Sequence, residues 1–220
     1  MTSRTPTAAT SARDRLLLAA ERLVAERGVD VPLRDVAVAA GQRNNSAVHY
    51  HFGSREGLFE AVLAERLAPV NAAMLAMLAD LEDASGDDDP RALVAVLVTP
   101  MATVPYADGS THYARFLEQV RPRPLIAELP LTAGEHSSAT RLVLHRLRRT
   151  LPAALPRALH DGRLRAMSTV MFALLADHER DRERGGHGGP SSTVEDIVDM
   201  LVGLLLAPAR PGRVATRRTE

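Results

Sequence analysis

One polar stretch between two apolar runs carries side chains suited to molecular recognition. It reads RNNSAVHY at residues 43–50 and is followed closely by Arg55. An asparagine amide can form two hydrogen bonds with adenine, a guanidinium can do so with guanine, and hydroxyl or imidazole groups can add single bonds to base edges. A phenol at Tyr50 and a guanidinium at Arg55 can bind phosphate oxygens. These residue types predict a surface that reads a nucleic-acid groove.

Some of these residues also have simpler interpretations. Taken alone, two adjacent asparagines are more typical of a turn or a helix cap, and either Asn44 or Asn45 can begin the helix that follows. His49 and His51 stand two positions apart, so they lie on different faces of a helix and no shared metal is expected. The candidate DNA-binding residues are Arg43, Asn44, Asn45, Ser46, His49, Tyr50 and Arg55.

The elements around this stretch are predicted to be helices. Ser11 and Asp14 form an N-terminal capping pair for a first helix, which ends at Gly28. A second, short helix begins near Pro32 and ends at Gly41, and a third ends at Gly53. Two short helices joined by a tight turn, the second with an exposed polar face, are typical of a helix-turn-helix motif.

The rest of the chain predicts a larger helical body. Ser54 caps a fourth helix, in which Pro69 is expected to introduce a kink. The last helix is predicted to start at Ser192, with Glu195 completing a capping box, and to end at Pro208. Hydrophobic residues make up 45% of the chain but aromatic residues only 3%, which favours an all-α fold. Between these, helices are predicted at 90–101, 111–120, 138–151 and 163–182.

Four segments are expected from these patterns. A larger helical ligand-binding and dimerisation domain is expected to follow a three-helix DNA-binding domain, with an irregular segment at each end of the chain. The boundaries are 1–11 for a disordered N-terminal arm, 12–54 for the helix-turn-helix domain, 55–208 for the body and 209–220 for a flexible tail.

Composition excludes several classes of chemistry. The chain has no cysteine, so it has no disulfide, thiol catalysis or Cys-based zinc site, and its formal net charge is zero. The N-terminal residues lack the apolar core of a signal peptide, and no apolar run approaches the roughly 20 residues needed to span a bilayer. Every basic residue except histidine is arginine, which suggests a GC-rich bacterial gene. We expect a cytoplasmic protein with no membrane contact, cofactor or metal.

Two segments, LRDVAVAAG and VHYHFGSREGLFEAVL, closely resemble the N-terminal DNA-binding domain of the TetR family of bacterial transcriptional regulators. The resemblance covers roughly residues 12–62. It implies an all-helical homodimer with a small DNA-binding head and a variable ligand-binding body, usually a repressor released by a small molecule. It also implies base contacts from Asn45, Ser46 and His49, and phosphate contacts from Tyr50 and Arg55.

The sequence departs from the family pattern in two places. Val31 and Pro32 stand where many members have a threonine or serine that caps the second helix and touches phosphate. The turn GQRNN is one residue longer than the commonest form. Both departures lie beside the predicted recognition surface.

Two sets of residues in the body are candidates for ligand and dimer contacts. Methionine adapts to irregular shapes and suits a ligand cavity, although core packing explains any one of these residues more readily. The last two helices are apolar on more than one face, which suits a four-helix bundle between subunits or within one chain. The candidate ligand residues are Met74, Met101, Tyr113, Phe116, Met167 and Met171, and the candidate dimer residues are Val170, Leu174, Ile197, Met200, Leu201 and Leu204.

These features favour one of three functional classes. An all-α enzyme would need converging acids, bases or a nucleophile, and residues such as His112, Glu118 and His145 show no spacing that fixes a mechanism. A structural adaptor would explain the bundle but not the polar third helix. The sequence favours a non-enzymatic transcriptional regulator, most simply a repressor, with operator DNA, an unidentified small-molecule effector and a second copy of the chain as partners.

Overall fold

The computed structural model is helical and contains no strand in the residues that it describes, which are 11–44, 46–84, 88–103, 112–122, 138–153, 155–185 and 192–208. The N-terminal helices, here called the head, are α1 (Ala12–Arg27), α2 (Leu33–Ala39) and α3 (Ala47–Phe52). The all-α prediction is confirmed. The later helices, here called the body, are α4 (Arg55–Ala84), α5 (Pro90–Thr103), α6 (Tyr113–Val120), α7 (Ser138–Thr150), α8 (Arg157–Glu183) and α9 (Val194–Leu206).

Local signals set the ends of the head helices as predicted. The Ser11 hydroxyl accepts a hydrogen bond from the Asp14 N–H at 3.1 Å, and the Asp14 carboxylate accepts one from the Ser11 N–H at 3.1 Å. At the other end of α1, Gly28 has φ +86° and donates its N–H to the Val24 carbonyl at 2.9 Å. Gly53 ends α3 with φ +75°. Left-handed backbone of this kind favours glycine.

Two arginines connect the head helices to one another and to the start of α4. Arg15 Nε donates to the Ala40 carbonyl at the end of α2, 3.3 Å away. Arg55, the first residue of α4, donates from one terminal nitrogen to the carbonyls of Val29 and Val31 at 2.6 and 2.7 Å. Carbonyls near helix ends have no partner within their helix, so these guanidiniums satisfy acceptors and connect elements at the same time.

The long helix α4 continues through Pro69 without a break. It begins at a cap, because the Ser54 hydroxyl accepts a hydrogen bond from the Gly57 N–H at 3.0 Å. Its segment Arg55–Asp83 is long and apolar enough to cross a membrane by length and composition. The same segment packs against α1, α5 and α7 and buries side chains such as Val62 in the core.

The body is built around α5, which packs against α4, α7, α8 and α9. Its apolar residues are buried on several faces, because neighbouring helices surround it. The short helix α6 packs against α8 on one side and against α1 of the head on the other. The head is therefore attached to the body both by chain continuity and by direct packing. The α5 residues with at most 2% exposure are Leu93, Val94, Val96, Leu97 and Val98.

Several predicted boundaries were wrong. The helix predicted at 163–182 begins at Arg157, with Pro156 in extended backbone as its N-cap residue. The capping box of α9 is formed by Thr193 and Asp196 instead of Ser192 and Glu195. Both pairs have the same spacing, so sequence did not distinguish them. The tail predicted at 209–220 and all of the predicted arm except Ser11 lie outside the described residues.

Two glycine substitutions test the account of the head's geometry. Gly28→Ala should lower the free energy of unfolding by about 1–3 kcal/mol, because φ +86° with ψ 175° is accessible almost only to glycine. Gly162→Ala, inside α8 with no neighbouring atom within 4 Å of the added carbon, should instead stabilise by about 0.5–1 kcal/mol. Urea unfolding of both variants measures the difference. Equal effects of the two substitutions would contradict it.

Candidate nucleic-acid interface and ligand cavity

The helix α3 turns its polar side chains away from the core. Val48 is completely buried and anchors the helix, whereas Ser46, His49 and Tyr50 are exposed. Tyr50 is 85% exposed, so its ring contributes little to packing. In the turn before α3, Arg43 and Asn44 are also exposed, whereas Asn45 lies outside the described residues. Except for Asn45 and Arg55, the predicted DNA-binding residues are all exposed.

Asn44 stabilises the turn that precedes α3. Its side-chain oxygen accepts a hydrogen bond from the Ser46 N–H at 2.9 Å, and its carbonyl accepts one from the Ala47 N–H at 3.1 Å. The first bond is an Asx turn, which replaces the usual backbone interaction. Ser46 occupies the N-cap position without a side-chain cap. The prediction that Asn44 or Asn45 begins the helix is therefore wrong, because Ser46 holds the N-cap position. Asn44 instead shapes the preceding turn through its side-chain oxygen, while its amide nitrogen carries two donors.

The ring of His49 is oriented by its own helix. Nδ1 lies 2.9 Å from the Gly53 carbonyl. Because a carbonyl can only accept, Nδ1 must carry the proton, and Nε2 of the neutral ring is then an acceptor. An outward acceptor on the exposed face can receive a hydrogen bond from the amino group of adenine or cytosine in the major groove. Sequence gave no indication of this bond.

Arg55 has a structural role that was not predicted. One of its terminal nitrogens is bound to the carbonyls of Val29 and Val31, so that part of the guanidinium faces the head. The contact holds the start of α4 against the loop between α1 and α2. A phosphate contact, which stays a prediction, would have to come from the remaining N–H groups.

The sequence of residues 16–62 matches the model of a family described as bacterial regulatory proteins, tetR family. The match includes α2, α3 and the turn between them, together with most of α1 and the start of α4. The chain carries a TetR-family DNA-binding domain. It is therefore a DNA-binding transcriptional regulator, and the resemblance noted in the sequence is confirmed.

Two solved structures are similar to the chain over most of its length. One, described as a transcriptional regulator, comes from Rhodococcus sp. RHA1; it is 24% identical, with a TM-score of 0.40, over 89% of this chain and 95% of its own. A TetR-family regulator from Streptomyces coelicolor A3 is 19% identical, with a TM-score of 0.41, over 93% and 97%. Both scores are low, so the family assignment depends on the N-terminal match. Comparison with curated protein sequences gave no significant match.

The body contains a small, partly open cavity of about 50 Å³. Four candidate ligand residues line it: Met74, Met101, Tyr113 and Met171. Phe116 and Met167 are not in its lining and are completely buried. Their role as ligand residues stays a prediction. The other lining residues are Leu67, Val70, Asn71, Leu97, Leu117, Thr140 and Phe172.

Tyr113, one of the residues that line the cavity, carries a buried hydroxyl. Burial raises the pKa of Tyr113, so the phenol stays neutral, and its oxygen has no hydrogen-bond partner in the part of the chain that the structure describes. Asn71 accepts a bond from the Ala139 N–H at 3.0 Å and keeps its amide nitrogen available. An unpaired buried hydroxyl costs about 1–3 kcal/mol, so a partner supplied by a ligand would be stabilising.

A buried ion pair lies where the head meets the body. Glu21 of α1 is only 2% exposed and lies 2.9 Å from Arg66 of α4. Burial raises the pKa of Glu21 to about 7, although Arg66 and a backbone hydrogen bond from His112 act in the opposite direction. Sequence analysis missed Glu21, even though it stands on the apolar stripe of α1 with Leu17 and Val24. A carboxylate on an otherwise apolar helix face was the sequence feature that could have identified Glu21.

A second polar cluster fixes the start of α6. The Glu179 carboxylate accepts hydrogen bonds from the Ala114 and Arg115 N–H groups at 2.9 and 3.0 Å. Burial raises the pKa of Glu179 despite these bonds. The Arg115 side chain also donates to Glu183 at 2.6 Å. Burial and, next, the Arg115 charge lower the pKa of His112. These residues are far apart in sequence, so no sequence motif predicted the cluster.

The candidate dimer residues fall into two groups. Ile197 and Leu201 are completely buried within the single chain, so they cannot contact a partner and their assignment is corrected. Met200 is 45% exposed on the outside of α9. Val170, Leu174 and Leu204 are half-buried and remain available for another surface.

The buried carboxyl of Glu21 predicts a pH-dependent stability. Its folded pKa of about 7 lies above the ordinary value of 4.5, so the folded state keeps a proton that the unfolded state releases near pH 4.5. The stability that this proton contributes is complete below pH 4.5 and is lost as the pH rises through about 7. The wild type should therefore lose stability relative to Glu21→Gln between pH 5 and pH 8. The change should be up to about 3 kcal/mol, at about 1.4 kcal/mol per pKa unit.

Urea unfolding at both pH values measures this difference. Glu60→Gln, at an exposed position of α4, is the control and should differ from the wild type by the same amount at each pH. A constant difference between wild type and Glu21→Gln would show that Glu21 stays ionised beside Arg66.

Proposed function

We propose that this regulator is a homodimeric repressor that leaves its operator when a small molecule binds in the body. The main supporting observation is the polar, solvent-facing side of α3 in a TetR-family domain, with Val48 buried behind it. A short helix with this arrangement suits insertion into the DNA major groove.

Each polar group of this surface has a proposed role. Asn45, Ser46 and His49 contact base edges, with the outward Nε2 of His49 accepting from adenine or cytosine. Arg43 suits guanine, through two parallel donors. The remaining three residues position the domain: Asn44 shapes the turn, and Tyr50 and Arg55 bind phosphate.

Dimerisation is proposed through the outer faces of α8 and α9. Met200 is exposed there, and Val170, Leu174 and Leu204 keep part of their apolar surface. Two heads held about 34–36 Å apart would contact successive major grooves and recognise a near-palindromic site.

Effector binding is proposed in the cavity of the body. Its apolar wall with Tyr113, Asn71 and Thr140 suits a small, mainly apolar molecule that carries a hydrogen-bonding group. Leu67, Val70, Asn71 and Met74 belong to α4, the helix that begins beside the head at Arg55. An effector that binds better to a shifted position of α4 would change the spacing of the heads and release the operator. Pro69, within this segment, is the proposed hinge.

The DNA-binding proposal predicts a specific operator. Selection from random duplex DNA with the full chain should enrich a near-palindromic motif. His49→Ala should weaken binding to that motif by about 5–150-fold, the equivalent of about 1–3 kcal/mol for one lost base contact. Fluorescence anisotropy at two salt concentrations measures both affinity and specificity.

His145→Ala is the matched control, because this histidine is exposed on α7 in the body. Its operator affinity should equal that of the wild type. If His49→Ala binds the enriched motif as tightly as the control, α3 does not read the bases as proposed.

The effector proposal predicts where a probe molecule binds. In NMR spectra of methyl-labelled methionine, short primary alcohols should shift the signals of Met74, Met101 and Met171, which line the cavity. The signal of exposed Met200 should stay unchanged. Val70→Phe should abolish the shifts by filling the cavity, whereas Leu75→Phe, on an exposed part of α4, should preserve them. Equal shifts in both variants would contradict binding at this cavity.

A further inference from the structure

We propose that Glu26, His112 and Glu183 form a binding site for a divalent transition-metal ion of the Zn²⁺ type, between the head and the body. One ligand atom from each residue lies within 4.8 Å of the other two. The three residues belong to different parts of the fold: Glu26 to α1, His112 to the N-cap of α6 and Glu183 to the end of α8. This site is separate from the exposed face of α3 and from the cavity.

The distances need only a small adjustment to accommodate an ion. His112 Nε2 lies 3.9 Å from Glu183 Oε1. Ligand atoms about 2.1 Å from a tetrahedral Zn²⁺ lie about 3.4 Å apart, so the group must contract by roughly 1 Å. The carboxylate side chains of Glu26 and Glu183 are 37% and 53% exposed, which gives them room to move. The His112 side chain is 11% exposed and provides the fixed member.

Surrounding contacts orient the proposed ligands. The His112 carbonyl accepts a hydrogen bond from the Phe116 N–H at 2.8 Å, which fixes the residue at the start of α6. Arg115 donates to Glu183 Oε2 at 2.6 Å and leaves Oε1 on the side of His112. A ligand carboxylate held by a hydrogen bond from a neighbouring residue is a common feature of metal sites.

The types of ligand in the cluster decide which cation it suits. Glu26 lies 3.9 Å from Arg22, and Arg115 is shared between Glu179 and Glu183. One imidazole nitrogen with carboxylate oxygens suits Zn²⁺, Co²⁺ or Mn²⁺, whereas Mg²⁺ and Ca²⁺ prefer oxygen ligands alone.

A metal at this place would join α1 to α6 and α8. The ion would then restrict how the head moves relative to the body, and metal availability would influence operator affinity through that restriction. This consequence needs no ligand in the cavity, so the metal site and the effector site are independent proposals.

The test is a Zn²⁺ titration of the full chain after treatment with a chelator, with a chromophoric chelator as competitor. The wild type should bind one equivalent tightly. Glu26→Gln and Glu183→Gln should each weaken that binding at least tenfold, because each removes a charged ligand. Glu60→Gln, exposed on α4, is the matched control and should bind as the wild type does.

Exposed histidines elsewhere in the chain can also bind Zn²⁺, and the glutamate variants leave them intact. Equal affinities in the wild type and both variants would assign any binding to those histidines and overturn the proposal. Absence of saturable binding would overturn it as well. A second measurement needs no variant: Zn²⁺ should shift the ring-nitrogen NMR signals of His112 in the wild type, and an unchanged His112 signal would also contradict the site.

Discussion

The contact of α1 with α4 and α6 determines how the DNA-binding surface is attached to the rest of the protein. Its centre is the buried pair of Glu21 and Arg66, 2.9 Å apart. Between α4 and α6, the rings of Phe59 and Phe116 pack edge to face at 5.8 Å. Breaking a buried ion pair or an aromatic contact is costly, so the head cannot reorient freely. α4 and α6 are thus the body helices that hold α1 of the head.

Two helices that line the cavity, α4 and α6, also pack against the head. Tyr113 is part of the cavity wall and belongs to α6, the helix that packs against α1. Val70 and Met74 belong to α4, which starts at the head. A molecule in the cavity thus contacts both helices that hold the head. The proposed metal site lies at the same junction, at the N-terminal end of α6, where His112 meets Glu26 of α1 and Glu183 of α8.

Features set by local chemistry could be predicted from the sequence. The Ser11 capping box and the glycines that end α1 and α3 depend on neighbouring residues alone, so their patterns were sufficient. Features set by tertiary contacts could not be predicted from the sequence. Arg55 finds its carbonyl partners 24 and 26 residues away, and Glu179 caps a helix more than 60 residues earlier. Ile197 was assigned to a dimer face because apolar periodicity does not distinguish burial within one chain from burial between two.

Hydrogen–deuterium exchange with and without the selected operator tests the central claim, that the head and body respond as one coupled structure. Operator binding should slow exchange in α3 and, through the buried contacts, in α6 at residues 113–120. Exchange should change less in α7, which does not pack against the head as α6 does. Protection confined to residues 12–54, with α6 unchanged, would contradict the account and show that the head binds DNA independently of the body.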